Sequence, residues 1–245
     1  MTFFGAFLRR LGGWIAVADL IALMTQLDLD AQAVRSAVSR LKRRGVIASE
    51  RRDGAAGYRL TEHGEAILRA GDARIYGRSR ESGWLLVVFS IPEAQRALRH
   101  RLRSGLTALG LGTVAPAVWI APAHLEEEVR RLVEELGVAD RVDLFAADPL
   151  DAELGRWWDL DALAAEYARY LDEWSRQDGG GFAEYIRHLD AWRRIPFHDP
   201  GLPASALPAG DRAWRVFAEL DARLAPAAWA EVQAVVATGA ARGRA

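Results

Sequence analysis

Residues 28–64 read DLDAQAVRSAVSRLKRRGVIASERRDGAAGYRLTEHG. At about 100° per residue, a helix here puts Val34, Val38 and Leu41 on one side. Gln32, Arg35, Ser36, Ser39, Arg40 and Arg43 cover the other. Asp30 suits the N-cap, and Gly45 suits the stop just past the last turn. VIASE and YRL then alternate as two strands around DGAAG, with arginines close to the turn. Between Arg35 and Arg52 there are seven basic residues and one acid, Glu50. Lys and Arg neutralise phosphates, while Gln, Ser and Arg hydrogen-bond base edges. A charged, solvated helix face is the bland alternative, but the neighbours of this one complete a motif.

On the N-terminal side, residues 18–27 (ADLIALMTQL) have helical periodicity through Leu20, Leu23, Met24 and Leu27. The tight Asp28-Leu29-Asp30 connection gives helix-turn-helix spacing. Phe3, Phe4, Phe7 and Leu8 form one face of an earlier helix. On the C-terminal side, Thr61 caps a helix running through Ile67 and Leu68. Helix, helix, recognition helix, two-stranded wing, helix is the order of a winged helix-turn-helix. It directs Gln32, Arg35, Ser36, Ser39 and Arg40 to the major groove of DNA. Arg43, Arg51, Arg52 and Arg59 fall to phosphates or the minor groove.

Charge is distributed to match. Residues 1–82 carry a net +5 and residues 83–245 a net −6, although the whole chain sums to only −1. A basic head on an acidic body expects the head alone to meet nucleic acid. The 245 residues, half of them apolar, suffice for one or two sizeable cores. There is no cysteine, which removes disulfides and suits a reducing, cytoplasmic setting. No apolar run reaches the roughly 20 residues of a membrane span, and MTFFGAFLRRLGG lacks the order of a signal peptide.

The expected class is α+β: an N-terminal winged helix-turn-helix (residues 1–80), a central ferredoxin-like α/β domain (83–148) and a C-terminal helical domain (149–245). A linker is expected over residues 75–83. WLLVVFS (84–90) is a buried strand, and a helix follows Pro92. AVWI lies in a second strand ending at Pro122, with TVAP open as a separate one. Residues 124–136 form a second helix and 142–145 a last strand. Helical periodicity returns over 159–176, 182–194, 211–224 and 226–238. This last part is rich in aromatics. Core packing accounts for most of them, and a subset offers walls for a flat aromatic ligand.

Signals of catalysis are weak. No Gly-rich phosphate loop, GxSxG elbow or HExxH is present. The five histidines lack ligand spacing, and His198-Asp199 reads more readily as loop structure than as a metal pair. Arg187, Arg193 and Arg194, with Trp192 among them, suit the phosphates of a coenzyme A-like ligand; pairing with Glu184, Asp190 or Asp199 is the competing role.

AVRSAVSRLKRRGVI, GYRLTEHG, WLLVVFSIPEAQRALRHRLRSGLTALGLGTVAPAVWIAP, WWDLDALAAEYARYLDEW and RRIPFHDPGLPASALP follow in order along nearly the whole chain. Together they resemble the PaaX-like repressors, regulators of phenylacetic acid degradation. The resemblance implies a homodimer on a palindromic double-stranded operator, with repression relieved by an aryl-acyl-CoA effector such as phenylacetyl-CoA. It implies no catalysis, cofactor, metal or membrane. It assigns no effector contacts, and AGDRAW replaces the family's usual Trp-containing linker after ALP. The middle domain also resembles the small CRISPR-adaptation nuclease fold, with Ser90 about where that fold has a metal-binding Asp. A carboxylate missing there counts against a metal-dependent nuclease. The other alternative is a ligand-independent DNA-binding protein.

Overall fold

Local sequence fixes α2 (Ala31–Arg43) at both ends. The Asp30 carboxylate accepts the Ala33 N–H at 2.7 Å. At the other end Gly45 takes φ 68°, a left-handed value open to glycine at little cost. Gly45 N–H then bonds Lys42 C=O and Val46 N–H bonds Leu41 C=O, which closes the helix as a Schellman motif. Thr61 ties this end to the next helix, α3 (Glu62–Tyr76). Its hydroxyl faces the carbonyls of Gly45 and Val46 and accepts the Gly64 N–H at 2.9 Å. In the computed structural model, residues 1–77, 83–148 and 153–242 are described. Residues 78–82 of the expected linker lie outside them; Ile75 and Tyr76, assigned to that linker, are the last residues of α3.

The secondary structure is mixed, with many helices and two antiparallel sheets. In the first sheet β2 (Ile47–Arg52) and β3 (Ala55–Leu60) form a hairpin. Its turn is Asp53-Gly54 alone, at φ 47° and 81°, tighter than the five-residue DGAAG. A third strand, β1 (Trp14–Ala16), pairs with β3. Three residues are too few for alternation to show in the sequence. β1 leads directly into α1 (Val17–Thr25), whose Leu20 and Leu23 are fully buried.

The chain divides into two compact units. The first comprises Met1–Tyr76, Arg176–Trp192 and Val216–Ala245. In it Phe7 meets Phe182 at 5.7 Å, Tyr185 at 5.6 Å and the Trp229 ring, stacked, at 6.2 Å. The Thr2 hydroxyl donates to Asp190 at 2.7 Å. Burying side chains of this size stabilises by about 1.5–3 kcal/mol each, so the helical turn Phe4–Leu8 and α7 (Phe182–Trp192) are held largely by each other's aromatics.

The second unit comprises Gly77–Ser175 and Arg193–Arg215. Its sheet has the order β5-β6-β4-β7, built from β4 (Trp84–Phe89), β5 (Gly112–Ala115), β6 (Val118–Pro122) and β7 (Val142–Ala147). α4 (Arg96–Ala108) and α5 (Glu126–Glu135) connect the strands. Leu85, Val87 and Phe89, alternate residues of β4, pack with Leu102, Leu106, Val129 and Val133. Thr113–Ala115 of TVAP thus belong to β5, a strand separate from β6, while Pro116 falls in the turn between them. On the other face Trp84 lies 5.8 Å from Trp158, whose indole donates to Gly110 C=O at 2.8 Å. α6 (Leu160–Trp174) follows.

One expectation is overturned in the last helices. Residues 211–224 and 226–238 are not two helices: α8 runs from Pro208 to Arg242 with Pro226 inside it. Proline removes one N–H bond, here to Ala222, and normally breaks a helix. Leu220, Leu224, Ala228 and Val232, four apart, are all buried along one stripe through the proline. Pro226 and Ala222 are exposed, so water can reach the freed carbonyl and packing overrides the break.

Candidate nucleic-acid interface

α2 holds Val34, Val38 and Leu41 inward, each under one-tenth exposed, and so turns its other side to solvent. Gln32, Arg35, Ser36, Ser39, Arg40 and Arg43 are all exposed and together line one surface depression. None of the six is held by an ion pair or side-chain hydrogen bond among the described residues. The guanidinium forks and the short hydroxyl and amide groups thus keep their full donor and acceptor capacity. The last turn of α2 carries Arg40, Lys42 and Arg43, which also favours the negative end of the helix dipole.

The hairpin arginines are arranged differently. Arg51 folds back over the turn and donates to Gly54 C=O at 2.7 Å. Arg52 and Arg59 share one carboxylate: Arg52 Nε donates to Glu50 Oε1, and Arg59 Nε lies 3.2 Å from Glu50 Oε2. The Arg52 guanidinium also stands 5.5 Å from the Trp14 ring centroid, a cation–π distance. All three arginines remain exposed, so these are surface contacts of small individual worth. Sequence reasoning missed both Trp14 and the clamping role of Glu50. The single acid among seven bases was the available signal for Glu50; nothing local marked Trp14.

Of the four residues proposed for an effector, two lie in the first unit and two in the second. Arg187, on α7 of the first unit, is exposed and pairs with Asp28 at 3.0 Å. Trp192 is buried, stacks on Phe217 at 4.5 Å and donates to Ile75 C=O at 3.0 Å. Arg193 and Arg194 open the C-terminal segment of the second unit. Beside Trp192 is fully buried His188, stacked on Phe217 at 5.4 Å. Burial, reinforced by the Arg223 charge, pushes its pKa down to about 4. The Tyr185 hydroxyl donates to Asp221 at 3.0 Å, and burial raises that carboxyl.

His198 and Asp199 have structural partners in the second unit. His198 Nδ1 lies 3.0 Å from the Glu166 carboxylate. Asp199 accepts from the Tyr167 hydroxyl at 2.6 Å and from the backbone N–H of Gly201 and Leu202. Ser90 is exposed at the end of β4, and its N–H bonds Arg141 C=O at 3.0 Å.

Three family models match successive parts of the chain. The one described as PaaX-like protein matches residues 1–64, PaaX protein central Cas2-like domain matches 78–156, and PaaX-like protein C-terminal domain matches 158–234. The transcriptional repressor PaaX of Escherichia coli (strain K12) is 26% identical, over 94% of this chain and 81% of that protein. The solved structure of the uncharacterized protein Rv0674 from Mycobacterium tuberculosis is similar at a TM-score of 0.64. That match covers 94% of this chain and 95% of the other at 24% identity, so it speaks for the fold alone.

Proposed function

The chain belongs to the PaaX-like family of transcription regulators, and from that premise we propose that it is a ligand-responsive repressor of aromatic-acid catabolic genes of the phenylacetate type. The family consists of regulators, not enzymes, and the repressor named among its relatives supports a DNA-binding role here. In this reading, α2 is the recognition helix of a winged helix-turn-helix and the β2–β3 hairpin is the wing. The rest divides into a ferredoxin-like middle (83–148) and a helical C-terminal part (149–245), after a DNA-binding head of residues 1–80.

The observation that carries the reading is the outer face of α2. Six donors and acceptors stand exposed there without an internal partner among the described residues. Arg35, Gln32, Ser36, Ser39 and Arg40 then read base edges, and Arg43, Arg51, Arg52 and Arg59 hold phosphates. The protein acts as a homodimer on a palindromic operator, each protomer supplying one α2 per half-site. Phenylacetyl-CoA, or a related aryl-acyl-CoA, relieves repression by binding the DNA-incompetent arrangement more tightly. Operator DNA then weakens thioester binding by the same factor.

The test is binding to the DNA upstream of the chain's own gene neighbourhood, with and without phenylacetyl-CoA, at fixed salt. Specific binding released by the thioester is expected. Specific binding that the thioester leaves untouched removes the effector and keeps the DNA-binding regulator. No specific binding sinks the assignment of α2 as the base reader.

A further inference from the structure

α4 carries a pattern that the recognition of an operator by α2 does not use. Between Arg96 and Ala108 lie four arginines and one histidine and no acid, within a body whose net charge is −6. Leu102 and Leu106 are buried against the sheet. Arg96, Arg99, His100 and Arg103 are spaced three and four residues apart and therefore form one stripe on the solvent side. Ser104 and Thr107 flank it, and both are exposed. Glu93 engages Arg99 at 2.8 Å. Among the described residues no ion pair or hydrogen bond holds Arg96, Arg101 or Arg103.

The pattern is unfavourable for the helix itself. Like charges three and four apart repel. Cations in the first turn oppose the helix dipole, and α4 has no acid there to offset them. Among the described residues Glu93, just before the helix, offsets Arg99 alone, so fold stability gives no reason for Arg96, His100 and Arg103 beside it, and an external anion does.

We propose that the α4 stripe of Arg96, Arg99, His100 and Arg103 is a second, sequence-independent contact to the phosphate backbone of duplex DNA. The inference rests on the reading of the chain as a DNA-binding protein. Residues 96 to 103 span roughly 10 Å of helix, about the rise of three phosphates on one strand. Arginine forks and hydroxyls are the groups that phosphate contacts use. An acidic protein surface is the other chemistry that would meet such a stripe. Protein interfaces, however, centre on a buried apolar or aromatic anchor. The exposed positions of α4 are Arg, His, Ser, Thr and Ala and hold no large apolar side chain.

The experiment compares the full-length protein with R96Q/R103Q and with R101Q/R169Q; Arg101 and Arg169, the latter on α6, are both exposed and lie off the stripe, so the control loses equal positive charge. Each is titrated against operator and random duplex of the same length. For R96Q/R103Q the slope of log K against log[salt] is expected to fall by up to about 2, on both DNAs alike. Between roughly 50 and 200 mM salt the variant then loses about tenfold less affinity than the parent. The ratio of operator to random affinity stays unchanged, and thermal stability does not fall. A hydroxyl-radical footprint loses protection at backbone positions outside the recognition half-sites. An unchanged slope and footprint would overturn the proposal and leave the stripe to an acidic protein partner. An equal fall in R101Q/R169Q would overturn it in favour of a general field effect. If the parent protein binds no duplex, the DNA-binding reading fails and this inference with it; if the parent binds its operator and the stripe variant matches it in slope and footprint, this inference alone fails.

Discussion

At the residue scale, the candidate interface contains two kinds of arginine. Arg35 is open and unengaged among the described residues. Arg35→Ala is expected to cost about 1–3 kcal/mol on operator DNA and to relax preference at one base position. Equal loss on operator and random duplex, measured by titration, would remove its base-reading role. Arg52 and Arg59 are clamped by the Glu50 carboxylate. Any phosphate they meet must compete with that carboxylate. Glu50→Gln releases both and is expected to tighten binding to every duplex, with a salt slope steeper by up to about 2. Unchanged affinity and slope would mean that the clamped arginines do not face DNA. The open face of α2 was legible from helical period alone. The clamp was not, because Glu50 reaches Arg59 only through strand pairing.

At the scale of elements, α2 depends on its ends. Asp30→Ala removes the side-chain acceptor of the Ala33 N–H and is expected to cost about 0.5–2 kcal/mol of stability. Denaturant unfolding monitored by circular dichroism reads this directly, and a change within error would show that the cap is idle. The capping residues and the apolar stripe could be found in sequence because each acts within a few residues; the turn was found only to within DGAAG, since pairing of β2 with β3 draws Ala55, Ala56 and Gly57 into the strand. β1 escaped notice because its pairing with β3 supplies what its length does not. Pro226 misled for the opposite reason: a strong local breaker sits on a stripe whose burial outweighs one lost hydrogen bond.

For the whole molecule, stability is expected to depend on pH through the aromatic core of the first unit. His188 has its pKa lowered to about 4 in the folded state, against about 6.5 in the unfolded chain. Its contribution is complete above the unfolded value. It is lost as pH falls from about 6.5 toward 4, where the unfolded chain takes a proton that the fold refuses. The loss is on the order of 3 kcal/mol by the lower limit. Asp221, whose carboxyl is raised by burial, works the other way and offsets part of it. Thermal melts of the parent and of His188→Gln at pH 7 and pH 4.5 separate the two. The variant should be less stable at pH 7, yet its melting temperature should drop less on acidification. Parallel pH profiles would show that His188 does not titrate in this window.

The sequence by itself determined where α2 begins and ends, which of its sides faces solvent, that a hairpin follows it, and the alternation of strands and helices through the middle of the chain apart from β5. These follow from helical and strand periods, capping groups and left-handed turn residues, all of which are local. Tertiary structure alone decided the fate of the C-terminal aromatics. Phe182, Tyr185 and Trp229 pack against Phe7, and Trp192 stacks on Phe217 and bonds the carbonyl of Ile75. Apolar attraction is non-directional and names no partner. A list of aromatics therefore predicts that they will be buried, while only the folded chain settles against what.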